Sequence, residues 1–205
     1  MKFALFAIFI SLLLAYYTQS YIVTENEIYN FYSTQLSYEQ IESLLNQQNK
    51  WVWLGYVFIP VIYLLKISII SLTLLSGLFF SQISKPRFSE VFSIVAKADL
   101  ILLTPAVLKI GWFTFQTNYT LEDVQYFMPG SLLNFFEPTL VEKWLLYPLQ
   151  ALNVFELGFW LWVAYELKPS FKEDFTRSFQ TVALSYGSCF MIWIVFVAFL
   201  TLNLS

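Results

Sequence analysis

A chain of 205 residues that is 58% hydrophobic and 20% aromatic but only 12% charged has too few charges for a soluble domain, where about 25% is usual. Lipid is therefore its expected solvent, and a net charge of −3 with eleven scattered basic residues excludes a nucleic-acid footprint. The absence of histidine removes Ser-His and Cys-His nucleophile pairs, the HExxH site and imidazole ligands together.

The single cysteine, Cys189, has no intramolecular disulfide partner and no imidazole to activate it, and reads as a small apolar residue in a membrane helix. No Walker loop or GxGxxG motif occurs, so no nucleotide site is expected. Neither an enzyme, a metal site nor a cofactor is expected.

The first apolar run, about residues 3–23, follows Lys2 and has two readings. A signal peptide would fit its short hydrophobic stretch and the polar Thr18–Ser20. Against that, the run resumes at Tyr21 and lacks a well-placed small-x-small site, which favours a first membrane anchor. Residues 24–50 are polar and acidic. Within them Ser37-Tyr-Glu-Gln40 is a capping-box pattern that starts a helix at Tyr38. Leu36, Ile41, Leu44 and Leu45 then share a face, predicting an amphipathic segment on the membrane or on another loop.

The second apolar stretch, residues 51–80, is longer than a bilayer needs. Trp51, Trp53 and Tyr56 read as an interfacial belt, with the span itself at about 55–80. Pro60 predicts a kink, Lys66 falls near the centre, and Thr73-xxx-Gly77 is a small-xxx-small pair. A short loop with Lys85 and Arg87 leads to a third span at about 91–115. That span carries Lys97, Asp99, Pro105 and Lys109; the two lysines are long enough to snorkel, whereas Asp99 is not.

Residues 116–142 are again acidic. Thr120-Leu-Glu-Asp123 predicts a helix start, Pro129-Gly130 a turn, and Ser131 the cap of a second short helix ending at Pro138. The fourth span, about 144–167, is almost wholly apolar between Lys143 and Lys168 but contains Glu156. Residues 168–180 predict a short amphipathic helical turn capped by Ser170. The fifth span, about 181–204, has a small-residue face that includes Ala183, Gly187 and Ser188.

The expected architecture is all-α: a single polytopic membrane domain, residues 1–205, of five transmembrane helices with short amphipathic helices in the outer loops. Lys2, Lys85, Arg87, Lys168, Lys172 and Arg177 fall on one side of this layout and Lys50 and Lys143 on the other. The positive-inside rule then predicts a cytoplasmic N-terminus and an outside C-terminus.

Lys66, Asp99 and Glu156 all fall near the midplane, where an isolated charge costs at least about 2.5–3.5 kcal/mol. Gln150, Asn153 and Glu156 recur at i+3, as a polar stripe on one helix face would. The expectation is a buried polar cluster of Lys66, Asp99, Asn153 and Glu156, with a Lys66–Glu156 contact and Asp99 adjacent. Such a cluster serves either as a structural clasp or as an ion or proton relay. Thr73, Gly77, Ala183 and Gly187 are candidates for helix packing or a partner-binding face.

Leu152, Asn153 and Phe155 form a Leu-(Asn/Asp)-x-Phe pattern, followed by an aromatic-rich helix with Trp160, a short basic loop and a last span of small and apolar residues. Over the last three spans this resembles the Yip1 family of five-span membrane proteins, and the short-loop layout is similar throughout. The phenylalanine-rich composition resembles a bacterial relative, which implies the fold and an inner-membrane location. The function expected from all this is a non-enzymatic accessory or scaffold subunit packed against other integral membrane proteins. The alternative is a small transporter or channel working through Lys66, Asp99 and Glu156.

Overall fold

The computed structural model describes residues 2–81, 86–116, 118–172 and 174–204; Lys85 of the charge count lies outside them. Among the described residues the chain is all-helical, without a strand element. Helix α1, Lys2–Tyr17, runs on into a π-helical turn over Thr18–Ile22. The short α2, Glu25–Tyr32, precedes α3, Tyr38–Phe80. Helices α4, Phe88–Ala98, and α5, Leu100–Phe115, meet at Asp99, and α6, Leu121–Tyr126, follows. Then come α7, Lys143–Ala151, and α8, Val154–Leu167. Helix α9, Phe175–Val182, joins α10, Ser188–Leu204, through a π-helical turn at Ala183–Gly187. By length and composition four stretches can cross a bilayer: Lys2–Ile22, Tyr38–Phe80, Phe88–Phe115 and Phe175–Leu204.

Two start signals that need only near neighbours behave as expected, whereas Ser131 precedes a 3-10 turn, Leu132–Phe135, without a side-chain cap bond. Ser37 Oγ accepts from Gln40 N and Gln40 Oε1 accepts from Ser37 N, which starts α3 at Tyr38. Thr120 and Asp123 close the same reciprocal box on α6. Helix α3 then continues without interruption, so the amphipathic segment and the second span are one rod of 43 residues. At 1.5 Å per residue it is about 65 Å long, twice the hydrocarbon thickness. Ser170 lies within a 3-10 turn, Lys168–Phe171, and the cap of α9 is Asp174, which accepts from Arg177 N. Asp174 wins because it directly precedes the amphipathic run.

Helix α8 sits at the centre, against α4, α5 and α9. Its Phe159, Val163 and Ala164 are fully enclosed in the main core with Ile67 and Leu74 of α3 and Val91 and Val95 of α4. At one end of the bundle, Ile22, Phe113 and Val124 form a second small core. There the Tyr119 hydroxyl donates to Ile22 O (3.0 Å) and Tyr56 to Gln19 Oε1 (3.0 Å). At the other end the Ser81 and Thr181 hydroxyls lie 3.2 Å apart.

The stretch 144–167 differs most from expectation, because it is two helices and not one. Asn153 adopts an extended backbone and caps α8, its Oδ1 accepting from Glu156 N (2.9 Å). Its Nδ2 donates back to the carbonyls of Gln150 (3.3 Å) and Ala151 (3.0 Å) at the end of α7. A short polar side chain can compete with the helix ladder in this way. The opened backbone is satisfied by the loop around Gly130: Leu132 N donates to Leu152 O (3.0 Å) and Val154 N to Gly130 O (3.1 Å). Ser131 and Asn153 form an isolated antiparallel bridge.

Gly130 has φ +70°, and a Cβ there would lie 2.7 Å from Val154 Cγ2. Gly130→Ala should therefore destabilise the protein by roughly 1–3 kcal/mol. Gly55→Ala and Gly111→Ala, in helices with nothing within 4 Å of the added carbon, should be neutral or stabilise by up to about 1 kcal/mol. Thermal melts of the three variants in detergent check the contrast.

Candidate functional site

Charged side chains are drawn together where α3, the α4–α5 joint and α8 meet. Lys66 projects from α3, and its ammonium lies 2.6 Å from Asp99 Oδ1. Asp99 is fully enclosed while the Lys66 side chain is 40% exposed, so the lysine stem runs along the outside with its head turned inward. Tyr63, one turn earlier on α3, places its ring 5.6 Å from the same ammonium. Asp99 stands where the helix changes register: its amide donates to Val95 O, but its carbonyl accepts from Leu102, three residues on.

Glu156 lies in the first turn of α8, where unpaired N–H groups and the helix dipole favour a carboxylate. Its Oε1 accepts from the Tyr186 hydroxyl (2.7 Å) and the Trp160 indole N–H (2.9 Å). It makes no ion pair with Lys66 but lies within electrostatic reach of Lys66 and Asp99. The contact expected between Lys66 and Glu156 is thus replaced by Lys66–Asp99. The helix break explains why: a periodic stripe of Gln150, Asn153 and Glu156 presupposes one continuous helix. Asn153 is here a cap that closes α7 and orients the start of α8, and Gln150 donates to the carbonyls of Gln125 and Tyr126.

The small-residue candidates are used in packing within the chain. A Cβ on Gly77 would lie 2.6 Å from Ser185 Cβ, and one on Gly187 would lie 2.6 Å from the Trp160 ring. The bare backbone of Gly187 therefore admits the indole that holds Glu156. Thr73 turns its hydroxyl to Ile69 O (2.9 Å), and Ala183 is half-buried in the π-helical turn. Sequence reasoning missed Glu166, whose carboxylate lies 2.6 Å from the Lys97 ammonium, and the two donors Tyr186 and Trp160. Thirty residues separate Tyr186 from Glu156 in the sequence, and only the fold reveals the carboxylate between the two aromatic donors. Among the described residues no group of three or more His, Cys, Asp or Glu side chains could hold a metal ion.

Comparison of the chain with family models, with curated proteins and with solved structures finds no match.

Lys66→Met strips Asp99 of its counter-charge and should destabilise the protein by roughly 3 kcal/mol, the low end for a broken buried pair because Lys66 is part-exposed. Lys66→Met combined with Asp99→Leu should regain most of that loss. A thermal-melt double-mutant cycle checks this, and additive single effects would refute the pairing. Tyr186→Phe should cost about 1.5–3 kcal/mol, the range for a hydrogen bond to a charged group, in the same assay.

Proposed function

We propose that the chain is a non-enzymatic integral membrane subunit that packs against other membrane proteins. The observation that carries this reading is a groove of about 670 Å³ along the seam between α3 and α9–α10. It is lined in part by Thr73, Ser76, Ser81, Thr181, Ser185 and Cys189. In lipid, helices associate through small residues that let backbones approach and through hydroxyls that bond across the contact. A groove of this lining fits a transmembrane helix of another chain better than it fits branched lipid tails.

In this reading α7 and α8, of 9 and 14 residues, cross the bilayer together as a broken fifth pass beside the four continuous ones. Irregular backbone at that depth is tolerated where protein satisfies it, as the Gly130 loop does. The distribution of basic residues supports a cytoplasmic N-terminus and an outside C-terminus, and in this reading the membrane is a bacterial inner membrane. The Leu152-Asn153-x-Phe155 pattern supports a Yip1-like fold. A second reading, a small transporter or channel working through Lys66, Asp99 and Glu156, is favoured by the helix break next to Glu156, since broken helices build ion sites in transporters.

Mild-detergent extraction followed by mass spectrometry should recover a second membrane protein in stoichiometric amount. A thiol crosslinker at Cys189, the chain's single cysteine, should join the two. Ser76→Leu, which fills the groove, should abolish both results with the melting temperature kept. A lone chain whose behaviour Ser76→Leu leaves unchanged would sink the reading.

A further inference from the structure

The small core of Ile22, Phe113 and Val124 backs a cavity of about 630 Å³. That volume falls within the range of about 300–1,000 Å³ usual for small-molecule sites. Phe113 lines the cavity and is 4% exposed, and Leu133, at 1%, lines it as well. The cavity therefore rests on packed side chains and needs no ligand to form it.

Two kinds of side chain complete the lining. Trp112, Tyr126 and Phe136 contribute aromatic surface. Phe127 stacks on Trp112 with ring centroids 5.7 Å apart, and Phe113 meets Phe127 edge-on at 5.7 Å. The indole is braced in this way yet stays 54% exposed, so part of its ring surface is open. The other kind is carboxylate: Glu122, Asp123 and Glu137. Asp123 commits Oδ2 to the α6 cap, where it accepts from Thr120 N and Oγ1, both at 2.8 Å. Glu122 and Glu137 have no ion-pair partner among the described residues. No described lysine or arginine lines the cavity.

We propose that this cavity binds the ammonium group of an organic amine, either free in solution or at the head of a lipid. A substituted ammonium is attracted to aromatic faces within about 6 Å, to tryptophan most of all. Glu122 and Glu137 supply its counter-charge. A bare metal ion fits worse, because among the described residues no group of three or more such ligands could hold one. An anion would meet three carboxylates, and an uncharged ligand would gain nothing from them. Trp112 stands close to the end of the span-length stretch Phe88–Phe115, the level at which tryptophan meets lipid headgroups. The cavity and the groove along α3 have no described lining residue in common, so this site stands or falls separately from the subunit reading.

The test uses the full chain in a maltoside detergent, which carries no charge. Choline chloride and dimethylbutanol, its uncharged carbon isostere, are titrated at constant ionic strength, with binding read by saturation-transfer NMR. If the ligand is a free amine, choline binds saturably and the alcohol binds at least about tenfold more weakly. Trp112→Ala, and Glu122→Gln combined with Glu137→Gln, then each weaken choline at least about fivefold. If the ligand is a lipid headgroup, native mass spectrometry retains phosphatidylcholine on the chain but not phosphatidylglycerol, and the same variants lose it. The paired glutamines replace exposed side chains and keep their shape, so they decide should Trp112→Ala not fold. The proposal is overturned if neither choline nor phosphatidylcholine binds, if the uncharged alcohol or phosphatidylglycerol binds as well as its ammonium counterpart, or if the variants leave binding unchanged.

Discussion

Inside a bilayer no water completes an unfinished hydrogen bond, so every polar group the chain carries to that depth must find its partner in protein. The Gly130 loop supplies such partners where a helix is interrupted. Where Asn153 interrupts the helix, the freed Leu152 carbonyl and Val154 amide are taken up by Leu132 N and Gly130 O. The left-handed conformation of Gly130 lets that backbone come close enough. Break and loop depend on each other: without the loop, the freed Leu152 carbonyl and Val154 amide would lose these partners, and without the break, the loop would lack its pairing edge.

The same constraint shapes the charges. Lys66–Asp99 and Lys97–Glu166 both join α3 or α4 to a neighbouring element at 2.6 Å. They tie together helices that lipid gives no hydrophobic reason to associate. Each lysine keeps part of its stem exposed, and the carboxylates are the more enclosed partners. A long flexible side chain can reach inward from the surface, whereas a short one must be placed by its backbone. Asp99 therefore stands at the joint of α4 and α5, and Glu156 in the first turn of α8.

What could be read from the sequence depended on the range of the signal. Ser37–Gln40 and Thr120–Asp123 are complete within four residues, and both start helices as read. Four of the five long apolar runs form helices long enough to span, and the fifth, 144–167, is broken into two. Asn153 could not be read as a cap, because its effect depends on a loop more than twenty residues earlier supplying backbone partners. Asp99 was recognisable as a buried ionic group from depth alone, whereas Lys66, expected to be buried too, keeps its side chain 40% exposed. Which carboxylate the lysine meets was fixed only by how α8 begins.

The helix break and the charged cluster act as one unit. Gly187 offers no Cβ, so the Trp160 ring packs on its backbone. Trp160 and Tyr186 fix Glu156 Oε1 from the α8 and α9–α10 sides, and Asn153 holds the Glu156 amide while closing α7. A shift in any of these groups moves the carboxylate relative to Asp99 and Lys66. Helix α7 packs along α10, with Trp193 Nε1 donating to the Tyr147 hydroxyl at 2.7 Å. Helix α7 is therefore connected to the central charges both through the Asn153 cap and through α10, which runs on from the turn that carries Tyr186.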